Sequence, residues 1–364
     1  MITITEVTAA VLRGSGPLKL ETLQLAPLDR LDVLVEVAGC GLCHTDLVMR
    51  ELASDAFSPG VLGHEAAGTV VSVGDGVETV RPGDRVLVSH DSCTECRACQ
   101  ADRPYHCVEF GALNTNPHRR RTSGAMSTSE GEPVYSSFFG QSSFATHAVV
   151  REANLVPVPI DVPLEIIGTL GCGFLTGVGA VTCALDAQPG QSIVIFGAGA
   201  VGLSAVMAAR ISGAATIIAV DRHAGRLTLA RELGATHTVN TSTTDSVAAV
   251  RNAAPFVEMS LDTTGVTAIM SSAVSVLAPG GRCGLVAVGD VIEFQPRDLV
   301  LGRTVIGIVE GNATAHSLVP RMIDWWRQGI FPFDQLIRTY PLADINRAIS
   351  DALDGRVIKP VLIP

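Results

Sequence analysis

Four of the nine cysteines, Cys93, Cys96, Cys99 and Cys107, follow the spacing C-x2-C-x2-C-x7-C. Four thiolates on short knuckles suit a closed tetrahedral zinc site, which would staple a loop with little core of its own. The same spacing also admits four unpaired thiols on a polar loop, or an iron–sulfur cluster. With every coordination position filled by protein, a zinc ion here offers substrate no open site, so its role would be structural.

A second set of metal-ligating types is more scattered. The stretch EVAGCGLCHTDL, Glu36 to Leu47, carries Cys40, Cys43, His44, Thr45 and Asp46, and GHE supplies His64 and Glu65 21 residues after Cys43. A catalytic zinc needs three protein ligands, drawn from cysteine, histidine and carboxylate, and one open position. Cys172, Cys183 and Cys283 lie far along the chain, and spacing alone does not bring any of them to Cys43 and His64. Lone cysteines are commonly small buried residues, so the residues by themselves leave a second metal open.

The glycines carry a different chemistry. GAGAVG, Gly197 to Gly202, fits Gly-x-Gly-x-x-Gly between the apolar run SIVIF and a helix pattern, and a second apolar run ends in Asp221, 19 residues beyond Gly202. Gly197 permits the tight turn, Gly199 lets backbone approach a pyrophosphate, and Gly202 lets helix and strand pack closely. The diphosphate then meets the free N–H groups and positive dipole end of the helix. Asp221 would bind the adenosine ribose hydroxyls and repel a 2′-phosphate, favouring NAD; Arg222 beside it is a group that could accept that phosphate.

These residues must be held by two kinds of scaffold. The first third reads as short strands with turn signals, as in LDVLVEVAG and GHEAAGTVVSVG, which predicts a β-rich barrel or sandwich. Residues 116–134 read as a long polar surface excursion. From about Val158 strands alternate with helices, predicting right-handed βαβ units and a parallel sheet. After about Val309 the texture is mixed again. The expected layout is a doubly wound α/β domain (158–309) inserted into a β-rich domain built from 1–157 and 310–364.

Composition bounds the rest. A chain of 364 residues favours two domains, and 47% hydrophobic residues with 36 glycines suit a packed α/β protein. The formal charge of −10 argues against a nucleic-acid partner. The one dense basic run, His118-Arg119-Arg120-Arg121, reads as a solvated loop. The N-terminus lacks signal-peptide character, and the uncharged stretches 166–185 and 192–209 are studded with glycine, as buried core would be. A cytoplasmic protein without a membrane partner is expected, and nine cysteines there point to metal or chemistry rather than disulfides.

In their order along the chain, GHEAAGTVVSVGDGV, the Cys93–Cys107 tetrad, GCGFLTG and GAGAVG followed by Asp221 resemble the zinc-dependent medium-chain alcohol dehydrogenases over essentially the whole sequence. The resemblance implies a GroES-like catalytic domain carrying a Rossmann domain, two zinc ions per chain and NAD. It implies catalytic zinc on Cys43, His64 and Cys172, with Glu65 close behind the metal. Thr45 would take the alcohol proton, and Asp46 would orient His64. His44 and Lys359 fall where the family contacts the pyrophosphate, Thr176 near the nicotinamide, and Ala200, Val201 and Arg226 among the further cofactor contacts. Cys40, Cys183 and Cys283 match no ligand position.

Two departures from the liver-type members narrow the substrate. Val48 stands where those enzymes have a relay histidine, and Ser89 where they have a bulky aromatic. With Phe139 and Val309 at the pocket and the stretch FFGQSSFATHAVV, the chain looks most like the aryl- and benzyl-alcohol dehydrogenase branch, whose relatives also take allylic alcohols. The implied reaction is reversible oxidation of a primary alcohol to its aldehyde. A zinc-free enone or quinone reductase of the same architecture, or a non-enzymatic NAD- or zinc-binding protein, are the alternatives. The apolar segment TVIGIV, Thr304 to Val309, predicts an edge strand pairing two copies into a homodimer.

Overall fold

The computed structural model of the chain describes residues 5–52, 55–119, 125–292 and 294–364. They form two units, Met1–Cys172 with Asp334–Pro364, and Gly173–Phe333.

The first unit is organised on the strand Asp32–Gly41, whose side chains are buried on both faces over most of its length. Such a strand needs partners on both sides. It pairs antiparallel with Ala66–Val73, His147–Arg151 and Lys359–Ile363, within a seven-stranded sheet. A five-stranded sheet built on Glu6–Leu12 and Lys19–Leu25 packs Val11 and Leu23 into the same core, with Phe57, Phe138 and, from the seven-stranded sheet, Leu362. The expected polar excursion contains two short strands, Met126–Ser127 and Pro133–Val134, which extend that second sheet. Of the basic run, Arg120 and Arg121 lie outside the described residues. Arg119 is not simply solvated, because it forms an ion pair of 2.9 Å with the buried Asp91.

The second unit is a six-stranded parallel sheet with the spatial order His237–Asn240, Thr216–Asp221, Ser192–Phe196, Val257–Asp262, Leu277–Leu285, Thr304–Gly307. Numbered along the chain this is 3-2-1-4-5-6, the Rossmann order, whose reversal lies next to the first strand. The central strands Thr216–Asp221 and Ser192–Phe196 are near-continuous buried apolar runs, as in a parallel sheet covered on both faces.

The unit boundaries differ from those read from sequence texture. Residues 158–172 belong with the β-rich unit, where the helix Leu164–Ile167 packs on Asp32–Gly41 and Ala66–Val73. Residues 310–333 belong with the parallel sheet, where the helix Ala315–Arg327 packs on Gly173–Gly179. Texture follows strand and helix periodicity, whereas a domain edge follows contacts. Among the described residues, no single helix is long and apolar enough to cross a membrane.

Candidate functional site

Three segments of the first unit converge. Strand Asp32–Gly41 ends just before Cys43, which precedes the helix His44–Leu52. The segment after Gly60–Val61 carries His64 and Glu65, and the chain after Leu164–Ile167 turns through Gly168–Gly171 to Cys172. Donor atoms of Cys43, His64, Glu65 and Cys172 lie within 4.8 Å of one another. Asp46 ties two of these segments together. One carboxylate oxygen accepts the Cys43 N–H at 2.9 Å, and the other accepts the Gly63 N–H at 3.0 Å and faces His64 Nδ1 at 3.0 Å. With Nδ1 directed to Asp46, the remaining ring nitrogen, Nε2, points away from it; that atom is buried and has no hydrogen-bond partner. An orphaned imidazole nitrogen beside two thiols is the donor set of a zinc ion.

The electrostatics agree with a site for a cation. Hydrogen bonding from Cys172 outweighs burial and, with His64, holds the Cys43 thiol well below its usual pKa. Burial would depress the His64 pKa, but the charge and hydrogen bond of Asp46, with Cys43, hold it well above the ordinary value. Metal binding at such groups displaces protons. Behind them Glu65 is fully buried, and burial raises its pKa against the opposing charge of Lys359. Lys359 Nζ lies 2.8 Å from both Glu65 oxygens and donates to the Leu42 carbonyl at 3.4 Å. Burial alone would lower the Lys359 pKa, yet Glu65 raises it above the usual lysine value. Lys359 is only 2% exposed, and its ammonium is paired with that carboxylate. Gly41 is required beside this pair, because a Cβ there would meet a Glu65 carboxylate oxygen at 2.1 Å.

Around the donors, Thr45 Oγ1 lies 3.7 Å from Cys43 Sγ. The Phe139 ring stacks on the His64 imidazole, centroids 4.4 Å apart and planes 25° from parallel. Ser89 is buried, Val48 is partly buried, and His44 is exposed.

The tetrad is also assembled. Sγ atoms of Cys93, Cys96, Cys99 and Cys107 lie within 4.8 Å of one another and none is in a disulfide. Backbone N–H groups of Cys96 and Glu109 point at Cys93 Sγ and Cys107 Sγ, at 3.3 and 3.4 Å. Backbone hydrogen bonds from Cys99 and Val108 bring Cys96 down to about 6, while burial and then Cys96 push Cys99 up to about 12. Adjacent thiols cannot all ionise without a cation to share, and a cation is what four sulfurs this close accommodate.

In the second unit, Gly199 precedes the helix Ala200–Ile211, whose first residues are Ala200 and Val201, and a Cβ on Gly199 would meet nothing within 4 Å. A Cβ on Gly202 would stand 1.8 Å from the Gly197 carbonyl, so only glycine packs there. Asp221 ends the second strand. Its oxygens accept the Ala198 and His223 N–H groups at 2.7 and 2.8 Å, which fixes the carboxylate beside the glycine turn. Arg222 is exposed, with Nε 3.1 Å from His223 Nε2, and Arg226 and Thr176 are partly buried. Val309 is 39% exposed. Gln141, which the sequence reading did not single out, is buried against the His64 backbone. No local pattern marks it, because the backbone groups its amide holds lie 75 and 77 residues away.

Comparison with known proteins agrees with this architecture. Residues 29–160 match the alcohol dehydrogenase GroES-like domain and residues 200–327 the zinc-binding dehydrogenase domain. A geraniol dehydrogenase of Castellaniella defragrans is 44% identical over 98% of this chain and 97% of its own length. The crystal structure of a benzyl alcohol dehydrogenase from Acinetobacter calcoaceticus superposes with a TM-score of 0.91 at 40% identity, covering 99% of both chains. A zinc-binding dehydrogenase of Sinorhizobium meliloti, solved bound to NADP, superposes with a TM-score of 0.79 at 26% identity, covering 99% of this chain and all of that one. With a GroES-like unit, a Rossmann unit and two sets of zinc-ligating side chains, the chain belongs to the zinc-dependent medium-chain alcohol dehydrogenases.

Proposed function

We propose that the protein reversibly oxidises a primary aryl or allylic alcohol to its aldehyde, with NAD as hydride acceptor. The observation that carries this reading is the convergence of Cys43, His64 and Cys172 around a buried, unpartnered His64 Nε2. Bound there, zinc supplies Lewis-acid charge that favours loss of the alcohol proton, and the nicotinamide supplies the hydride acceptor. Thr45 Oγ1 takes the alcohol proton as its own hydroxyl proton passes on towards the cofactor ribose. Asp46 keeps the His64 ring in one orientation, and Glu65 with Lys359 forms the charged floor behind the ligands. Val48 cannot act as a base, so the proton leaves by a route that avoids position 48. The Phe139 ring, stacked on His64, and the small, buried Ser89 are the residues we assign to admitting a flat unsaturated substrate. The ligand cysteines favour this reading over a zinc-free enone or quinone reductase. Metal analysis together with rates on benzyl alcohol, geraniol and ethanol tests it; efficient turnover of ethanol and none of the other two would refute the substrate class.

Asp221 sets the cofactor preference. Its carboxylate is held at the end of the second strand by two N–H groups, where a 2′-phosphate would meet a fixed negative charge. Asp221→Ser should raise kcat/KM with NADP relative to NAD by about tenfold or more, since about 1.4 kcal/mol of repulsion relieved is a factor of ten. Equal use of both cofactors by the unaltered enzyme would show that Arg222 dominates.

The working form is a homodimer. Thr304–Gly307 is the end strand of the parallel sheet, and Val300, Leu301 and Val309 around it are exposed. An apolar edge of this kind pairs readily with its own copy. Light scattering at micromolar concentration should return twice the chain mass of 38.0 kDa. Free thiols as metal ligands suit a reducing compartment, and the cytoplasm is the expected location.

A further inference from the structure

We infer that Gln141 is a positioning residue of the Cys43–His64–Cys172 centre, acting through the backbone on either side of Glu65. Its side chain is 1% exposed. Nε2 donates to the His64 carbonyl at 2.9 Å, and Oε1 accepts the Ala66 N–H at 3.3 Å. One amide therefore brackets Glu65, whose own carbonyl accepts the Gly41 N–H at 3.0 Å. Oε1 also accepts the Ser143 hydroxyl at 2.9 Å, and that oxygen lies 3.2 Å from Cys40 Sγ, on the strand that leads to Cys43. Two ligand-bearing segments that are distant in sequence thus share a single buried amide.

Gln141 also sits in the strap that carries Phe139. Phe139, Gly140 and Ser142 all have left-handed φ, at 48°, 68° and 48°, a conformation that non-glycine residues hold only where the surroundings over-determine it. The strap is fastened on both sides of Gln141. Ser142 Oγ donates to the Val61 carbonyl at 2.7 Å, and the Ser143 and Phe144 N–H groups reach the Gly63 and Leu62 carbonyls at 3.0 Å. This fastening keeps the Phe139 ring on the face of His64, and Gln141 locks the register of the strap against the His64–Ala66 backbone.

The inference rests on the reading of Cys43, His64 and Cys172 as a zinc site, and the tetrad serves as an internal control. The experiment measures zinc release to a chelator from the two-zinc enzyme and from Gln141→Met and Ser143→Ala, with circular dichroism to confirm folding and cobalt substitution to read ligand geometry by absorption. Gln141→Met should release zinc from the Cys43 site about 10–100-fold faster, as loss of an outer partner of a metal ligand does. Its cobalt spectrum should shift while the tetrad zinc is retained as before. Ser143→Ala, which removes one hydroxyl and keeps the amide, should lie between; it remains readable if Gln141→Met does not fold. Wild-type release and an unshifted spectrum in a folded variant would overturn the inference. An unaltered enzyme that binds no zinc at the Cys43 site would instead overturn the zinc reading itself.

Discussion

Cys172→Ser should give a folded protein that has lost one of two zinc ions and essentially all turnover. The three donors of this site come from separate segments that are held in place without Cys172. Asp46 bonds both the Cys43 N–H and His64, and strand Asp32–Gly41 is paired on both edges. The scaffold therefore survives, while the rate should fall by well over the roughly 100-fold that loss of an outer-shell partner costs. Cys99→Ser should act in the opposite order. The helix Arg97–Gln100 buries no residue, so apart from local backbone hydrogen bonds the loop has little besides the sulfurs to hold it. Structural zinc sites contribute folding free energy directly, so thermal stability or assembly fails before the chemistry does. Elemental analysis, thermal melts and alcohol oxidation rates on the two variants check both statements. A fully active enzyme with one zinc or none would sink the pairing of roles.

Lys359→Met should be strongly destabilising. Both partners of the Lys359–Glu65 pair are essentially buried, 3% and 0% exposed at the side chain, and removing one leaves an uncompensated buried carboxylate. Breaking a buried pair in this way costs about 3–5 kcal/mol. Adding Glu65→Gln should return much of that loss, because the double variant buries no net charge. The sign of the pH dependence follows from the shifts. Burial raises the Glu65 pKa, and without Lys359 the main opposition to that burial is gone, leaving only the smaller effect of the His64 charge. A folded carboxyl with a raised pKa binds a proton that the unfolded chain has released, so the Lys359→Met protein should regain stability as pH falls. Denaturant melts between neutral and mildly acid pH measure this. A loss no larger than that of an exposed ion pair, or no recovery in the double variant, would show that the pair is not isolated from water.

The chemistry legible in the sequence is local chemistry. The tetrad lies within Cys93–Cys107, and the glycine turn with its acidic partner within Gly197–Asp221. Over such short separations spacing nearly dictates geometry, so chain order alone announces a four-sulfur cage and a dinucleotide loop. The alternation of strands and helices likewise announced the parallel sheet, because one apolar face per element leaves few ways to pack. The second zinc site was different. Only resemblance joined Cys172 to Cys43 and His64, since nothing along the chain brings a cysteine more than 100 residues away to a given point. The contacts of Lys359 and Gln141 were not legible along the chain either. Lys359 meets Glu65 across 294 residues, and Gln141 meets the His64 backbone across 77. Resemblance offered Lys359 only a role at the cofactor, and nothing local to Gln141 in FFGQSSFATHAVV pointed to a partner. What makes one the counter-charge of a buried carboxylate and the other a brace for a metal ligand is desolvation. Burial forces every polar group to find a partner, and which partner it finds is decided only when the strands of the sheet have come together.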